Sequence, residues 1–164
     1  MQRVWNYFLY STWKLLCYAG VNLIERPLFK VLSIVPFFRK NIEKGKGRHR
    51  RIVDDRSFSF NIAFAYGYMF FTTMVIYTII FLYLVHYFQI EVGDNLYYYF
   101  IAVAISSYLT NQILSWHNDK YLKYFTEFDR LNNKRKDYLS AVLFHLGVFL
   151  FAALSIHWTV GYDF

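Results

Sequence analysis

The feature that most restricts this chain is where positive charge is missing. No Lys or Arg lies between Arg56 and Lys120, and none follows Lys136. A surface facing water needs charge along its whole length, so stretches this long without it imply a non-aqueous surrounding. Composition agrees. Of the 164 residues, 57% are hydrophobic and 23% aromatic, above the roughly 45–50% apolar content of ordinary globular domains.

Apolar runs over residues 58–88, 96–116 and 138–158 each come close to or exceed the roughly 20 residues that span a bilayer. They predict an all-α membrane protein with three transmembrane helices. Aromatic residues gather at the ends of these runs, at Tyr97, Tyr98, Tyr99, Trp116, Trp158 and Tyr162, as an interfacial belt requires. Basic residues cluster between them. Arg39, Lys40, Lys44, Lys46, Arg48, Arg50 and Arg51 precede the first run, and Lys134, Arg135 and Lys136 precede the third. Only Glu91 and Asp94 carry charge between the first two.

Because cationic loops stay inside, these clusters are expected in the cytoplasm and the C-terminus outside, in a bacterial inner membrane. There the basic residues would contact anionic lipid headgroups or an acidic partner. The same juxtamembrane placement excludes nucleic acid as the reason for a net charge of +7.

The first 38 residues pattern differently. Arg3, Tyr7, Ser11, Lys14, Tyr18, Asn22 and Glu25 recur every three or four positions, which draws one polar stripe along a helix. Residues 1–38 therefore read as an N-terminal interfacial amphipathic helix, with Pro27 as its breaker. The alternative is a fourth span, in which Lys14 would cost about 2.5–3.5 kcal/mol. Asn6, Ser11 and Lys14 also interrupt any signal-peptide core. Residues 39–57 form a basic cytoplasmic loop, and 58–164 a three-span domain with an inner loop at 117–137. Within that loop Tyr121, Tyr124, Phe125, Phe128 and Leu131 oppose Lys120, Lys123, Glu127 and Arg130, the pattern of a cytoplasmic amphipathic helix.

Small and polar residues mark the second run. Ala102, Ser106 and Thr110 fall four apart, beside Ser107, Asn111 and Gln112, and make a helix-packing or pore-lining face. Ala63 and Gly67 form a similar pair in the first run. Cys17 is alone, so neither an intramolecular disulfide nor a multi-cysteine zinc site is available. No nucleophile elbow, phosphate loop or HExxH motif occurs, and no catalytic residue or cofactor is expected. The sequence thus points to a non-enzymatic structural or accessory subunit of a membrane assembly, joined to other membrane subunits or to itself. A small homo-oligomeric channel or membrane-permeabilising effector is the alternative. A haem-binding electron carrier is a further one, with axial pairs drawn from His86 with His157 and His117 with His145.

Overall fold

A computed structural model of the chain describes residues 1–32, 34, 60–90, 96–131 and 134–161. Among these residues all regular secondary structure is helical. Helix α1 spans Gln2–Ala19 and runs through a widened π-helical turn, Gly20–Glu25, into α2, Arg26–Leu32. Helix α3 is Phe60–Phe88, and α4 is Leu96–Asn111 with a π-helical extension, Gln112–Trp116. Then come α5, Lys120–Leu131, and α6, Lys134–Gly161.

Local sequence explains the joints. Pro27 does not end its helix. The π turn lies immediately before it, where the Arg26 N–H donates to Val21 O, and so absorbs the bond that proline cannot make. Helix α3 stops at Gln89, which is left-handed at φ 51°. The Gln89 N–H donates to His86 O and the Ile90 N–H to Val85 O, the paired closing bonds of a Schellman motif. Asn118 and Asp119 are left-handed as well, at φ 57° and 52°. These side-chain types tolerate that conformation best after glycine, and here they turn the chain from the π extension into α5.

Helices α1, α3, α4 and α6 make a four-helix bundle. The pair α1–α3 runs through its middle, in contact with each other and with α6. Helix α4 packs along α3, and its π extension touches α1. The short α5 lies against α1, burying Tyr121, Phe125 and Phe128. Leu9, Tyr10 and Trp13 of α1, Ile62, Ala65 and Met69 of α3 and the three aromatic residues of α5 form one core. The rings of Tyr10 and Trp13 lie 5.1 and 5.3 Å from that of Phe125.

This architecture corrects the membrane reading. The predicted interfacial helix is an interior helix: Asn6, Leu9, Tyr10, Ser11, Thr12 and Trp13 are all buried. The middle of its polar stripe, Tyr7, Ser11 and Lys14, faces protein, and Lys14 finds Asp137 and Asp129 more than a hundred residues away. A stripe so paired has no need of headgroups, and α1 is neither an interfacial helix nor a lipid-surrounded fourth span. The predicted cytoplasmic amphipathic helix spends its apolar face on α1.

Among the described residues only Asn61–Phe88 and Lys134–His157 are long and apolar enough to cross a membrane, by length and composition. Helix α4 has 16 residues before it widens. The three-span fold is therefore replaced by a polar-cored four-helix bundle. With it go the inner-membrane location and topology, the bilayer, headgroup and membrane-subunit partners, and the membrane-assembly, channel and electron-carrier functions. The Arg39–Arg51 cluster lies outside the described residues.

Candidate functional site

The chemistry-bearing side chains of the described residues collect where α1 meets its neighbours, in three groups.

The first joins α1 to α5 and α6. Lys14 Nζ donates to Asp137 Oδ2 at 3.1 Å and stands 3.8 Å from Asp129 Oδ1. Tyr7 OH donates to Asp137 Oδ1 at 3.1 Å and lies 3.4 Å from Ser140 Oγ. Tyr10 OH donates to Asp129 Oδ1 at 2.7 Å, and the Lys14 ammonium sits 4.5 Å from the Tyr10 ring centroid. Asp137 is 5% exposed, so its charge is tolerable only because a cation and a phenol hold it. The Arg3–Glu127 pair, at 2.6 Å, ties α1 to α5 from outside.

The second group centres on His145. Its Nε2 lies 2.9 Å from Thr12 Oγ1 and its Nδ1 2.9 Å from Thr72 Oγ1, so one imidazole bridges α1, α6 and α3. Each threonine also donates to its own helix, Thr12 to Phe8 O and Thr72 to Tyr68 O, both at 2.8 Å. Burial holds the imidazole below its ordinary pKa, since desolvation penalises the charged form.

The third group holds α4. Asn111 Nδ2 donates to Thr73 Oγ1 and to Ser107 O, each at 2.9 Å, while its Oδ1 accepts from Trp5 Nε1 at 3.2 Å. Asn6 Nδ2 donates to Leu114 O at 2.8 Å, and Tyr77 OH meets Thr110 Oγ1 at 2.7 Å. Nearby, burial first and then the neighbouring Tyr121 push the Tyr66 phenol above its ordinary pKa.

The second-run residues singled out by sequence are placed as follows. Ser107 and Asn111 are buried, and Ser106, Thr110 and Gln112 are half-buried. Ala102 is exposed. Ser107 Oγ bonds its own Val103 O, and Asn111 and Thr110 bond α3. Ser107, Thr110 and Asn111 thus face the bundle, whereas Ala102 does not. Lys134, Arg135 and Lys136 are exposed at the start of α6. Both ring nitrogens of His145 are engaged by threonines, which leaves neither for a haem iron. His157 is exposed three turns farther along α6. Among the described residues no three His, Cys, Asp or Glu side chains gather around a metal position.

Sequence reasoning passed over Thr12, Thr72, Thr73, Asp129 and Asp137. The usable signal was hydroxyl-bearing residues inside apolar runs, which need partners when buried. No protein-family model, curated protein or solved structure matches the chain. Function therefore rests on the geometry alone.

Proposed function

We propose that the chain is a non-catalytic docking module: a bundle locked from inside by polar bonds, whose outer face on α3 and α6 receives an apolar helix of a protein partner. Many interior polar groups are spent on one another, which suits a scaffold. The outside is unsatisfied. Only 22% of the apolar window of α3 and 17% of that of α6 is buried within the chain. Phe64, Phe71, Leu143, Leu146, Leu150 and Phe151 are all exposed. Monomeric proteins in water rarely leave apolar patches beyond a few hundred Å² uncovered.

The shape of the face carries the reading. A groove of about 460 Å³ runs along Ala63, Phe64, Gly67, Tyr68 and Phe71. A second, of about 310 Å³, lies between Ile76 and Ile80 of α3 and Gly147, Val148 and Phe151 of α6. Gly67 and Gly147 have only open space where a Cβ would stand, so a partner backbone can approach closely. Phe64, Tyr68 and Phe71 recur at three-to-four spacing and so line one face of α3, a length of apolar groove suited to a helix.

Photo-crosslinking from a benzoylphenylalanine at position 71 tests this in cells. Discrete protein adducts are expected, and Gly67→Phe, which fills the groove, should remove at least about nine-tenths of them while Tm stays within about 2 °C. A tenfold loss corresponds to about 1.4 kcal/mol of docking energy. Adducts to lipid alone, or protein adducts indifferent to Gly67→Phe, overturn the proposal.

A further inference from the structure

The His145 cluster contains fewer protons than hydrogen bonds. Four short contacts meet there: Thr12 to Phe8 O, Thr72 to Tyr68 O, and each hydroxyl to one imidazole nitrogen. The carbonyls only accept, so each threonine spends its single proton on its own helix. Both imidazole nitrogens must then donate, which a neutral ring cannot do. A neutral cluster has three protons for four contacts. In the neutral cluster one threonine gives its proton to the ring instead of to its carbonyl, so the contact at Phe8 or at Tyr68 lacks a proton according to the tautomer.

Only an imidazolium closes all four contacts, yet among the described residues nothing facing it carries a compensating negative charge. On α1, Tyr7 and Lys14 engage Asp137, Tyr10 engages Asp129, and Arg3 engages Glu127. Farther along, Cys17 contacts Asn61 and Tyr18 stacks on Tyr138. Helix α3 contains no Asp, Glu, Lys or Arg. Of its phenols, Tyr68 lies 5.8 Å from the imidazole, Tyr77 bonds Thr110, and Tyr66 packs on Tyr121. On α6 itself the nearest carboxylate is Asp137, eight residues back, roughly 12 Å along the helix. Loss of a charge's hydration outweighs one added hydrogen bond.

We propose that the Thr12–His145–Thr72 cluster is a proton-triggered release for α1: acidification charges the bridge in place and loosens α1 from α3 and α6. Burial holds the imidazole pKa below its ordinary value, so in the window below about 6.5 the unfolded chain binds more protons than the folded one. Stability therefore rises with pH across that window and falls as pH drops through it.

Thermal unfolding from pH 7.5 to 5.5 reads this directly. The intact chain should lose about 3 °C more than His145→Gln, which keeps the other four histidines. The protection of α1 amides, taken relative to the intrinsic exchange rate at each pH, should fall over the same range only when His145 is present. Nitrogen NMR of labelled histidine serves if that variant does not fold: the His145 ring should stay neutral, as one tautomer or two in exchange, until pH is below 6.5. Parallel pH profiles for the two proteins, or a His145 ring that charges at or above pH 6.5, overturn the proposal. Neither readout involves the docking groove.

Discussion

Replacing Asp137 by Asn is expected to lower the unfolding free energy by roughly 3 kcal/mol, the usual cost of stripping one partner from a buried ion pair. For a chain of this length that is a fall in Tm of about 10 °C. The shape of the side chain is kept, so the loss reports charge. Lys14 would keep only Asp129, 3.8 Å away, and its side chain is just 15% exposed, too little for water to compensate. Tyr7 would lose its carboxylate at the same time. Removing both charges together, as Lys14→Met with Asp137→Leu, should recover most of the loss, because the buried carboxylate goes with its cation and Asp129, 29% exposed at its side chain, keeps the Tyr10 hydrogen bond. Thermal melts of the two variants decide it. If Asp137→Asn melts within about 1 °C of the parent, the pair does not hold α1 to α6.

The second large effect is expected at Asn111, which serves three partners on three helices. Leucine there leaves the Trp5 Nε1–H without its acceptor and Thr73 Oγ1 without its donor, in a position 1% exposed. A buried polar group left unpaired costs about 1–3 kcal/mol, so Asn111→Leu should lose roughly 3 kcal/mol. The loss should be local as well as global. Amide exchange should quicken in Leu96–Asn111 and in the first turns of α1, which the Trp5 bond ties together. Chemical denaturation with exchange read by mass spectrometry checks both. Unchanged stability would mean that the asparagine is solvated instead of shared between helices.

These two sites show what the sequence could and could not disclose. Helix positions were legible because apolar runs and their flanking breakers are local properties. The runs over 58–88 and 138–158 became α3 and α6, and the alternation from Tyr121 to Leu131 became α5. The stripe on α1 was equally visible, but its meaning was not. A row of Ser11, Lys14 and Tyr7 looks the same whether it faces headgroups or a carboxylate, and Asp137 is 123 positions from Lys14. Only tertiary placement separates the two.

The same limit hid the His145 bridge, whose threonines lie 133 and 73 positions away. Charge-free stretches were read as lipid-facing because one chain has no other obvious way to cover them. In the bundle part of that surface is spent between helices, and the rest forms the α3–α6 face, for which a protein helix is proposed here as the cover. The cluster of Ser107, Thr110 and Asn111 was found by sequence as a polar patch, but its partners on α3, Thr73 and Tyr77, were not.

The bundle depends on α1 lying inside it against α3, and the chain offers a direct way to test that. Cys17 is its only cysteine, and Asn61 Nδ2 on α3 lies 3.4 Å from its Sγ. Asn61→Cys therefore sets a second thiol beside the first. Mild oxidation, or a short bis-thiol-reactive linker, should join the two within one chain. The product would be an intramolecular cross-link that reductant or peptide mapping identifies. If both thiols instead react singly with maleimide and no intramolecular cross-link forms, α1 does not lie where this structure places it.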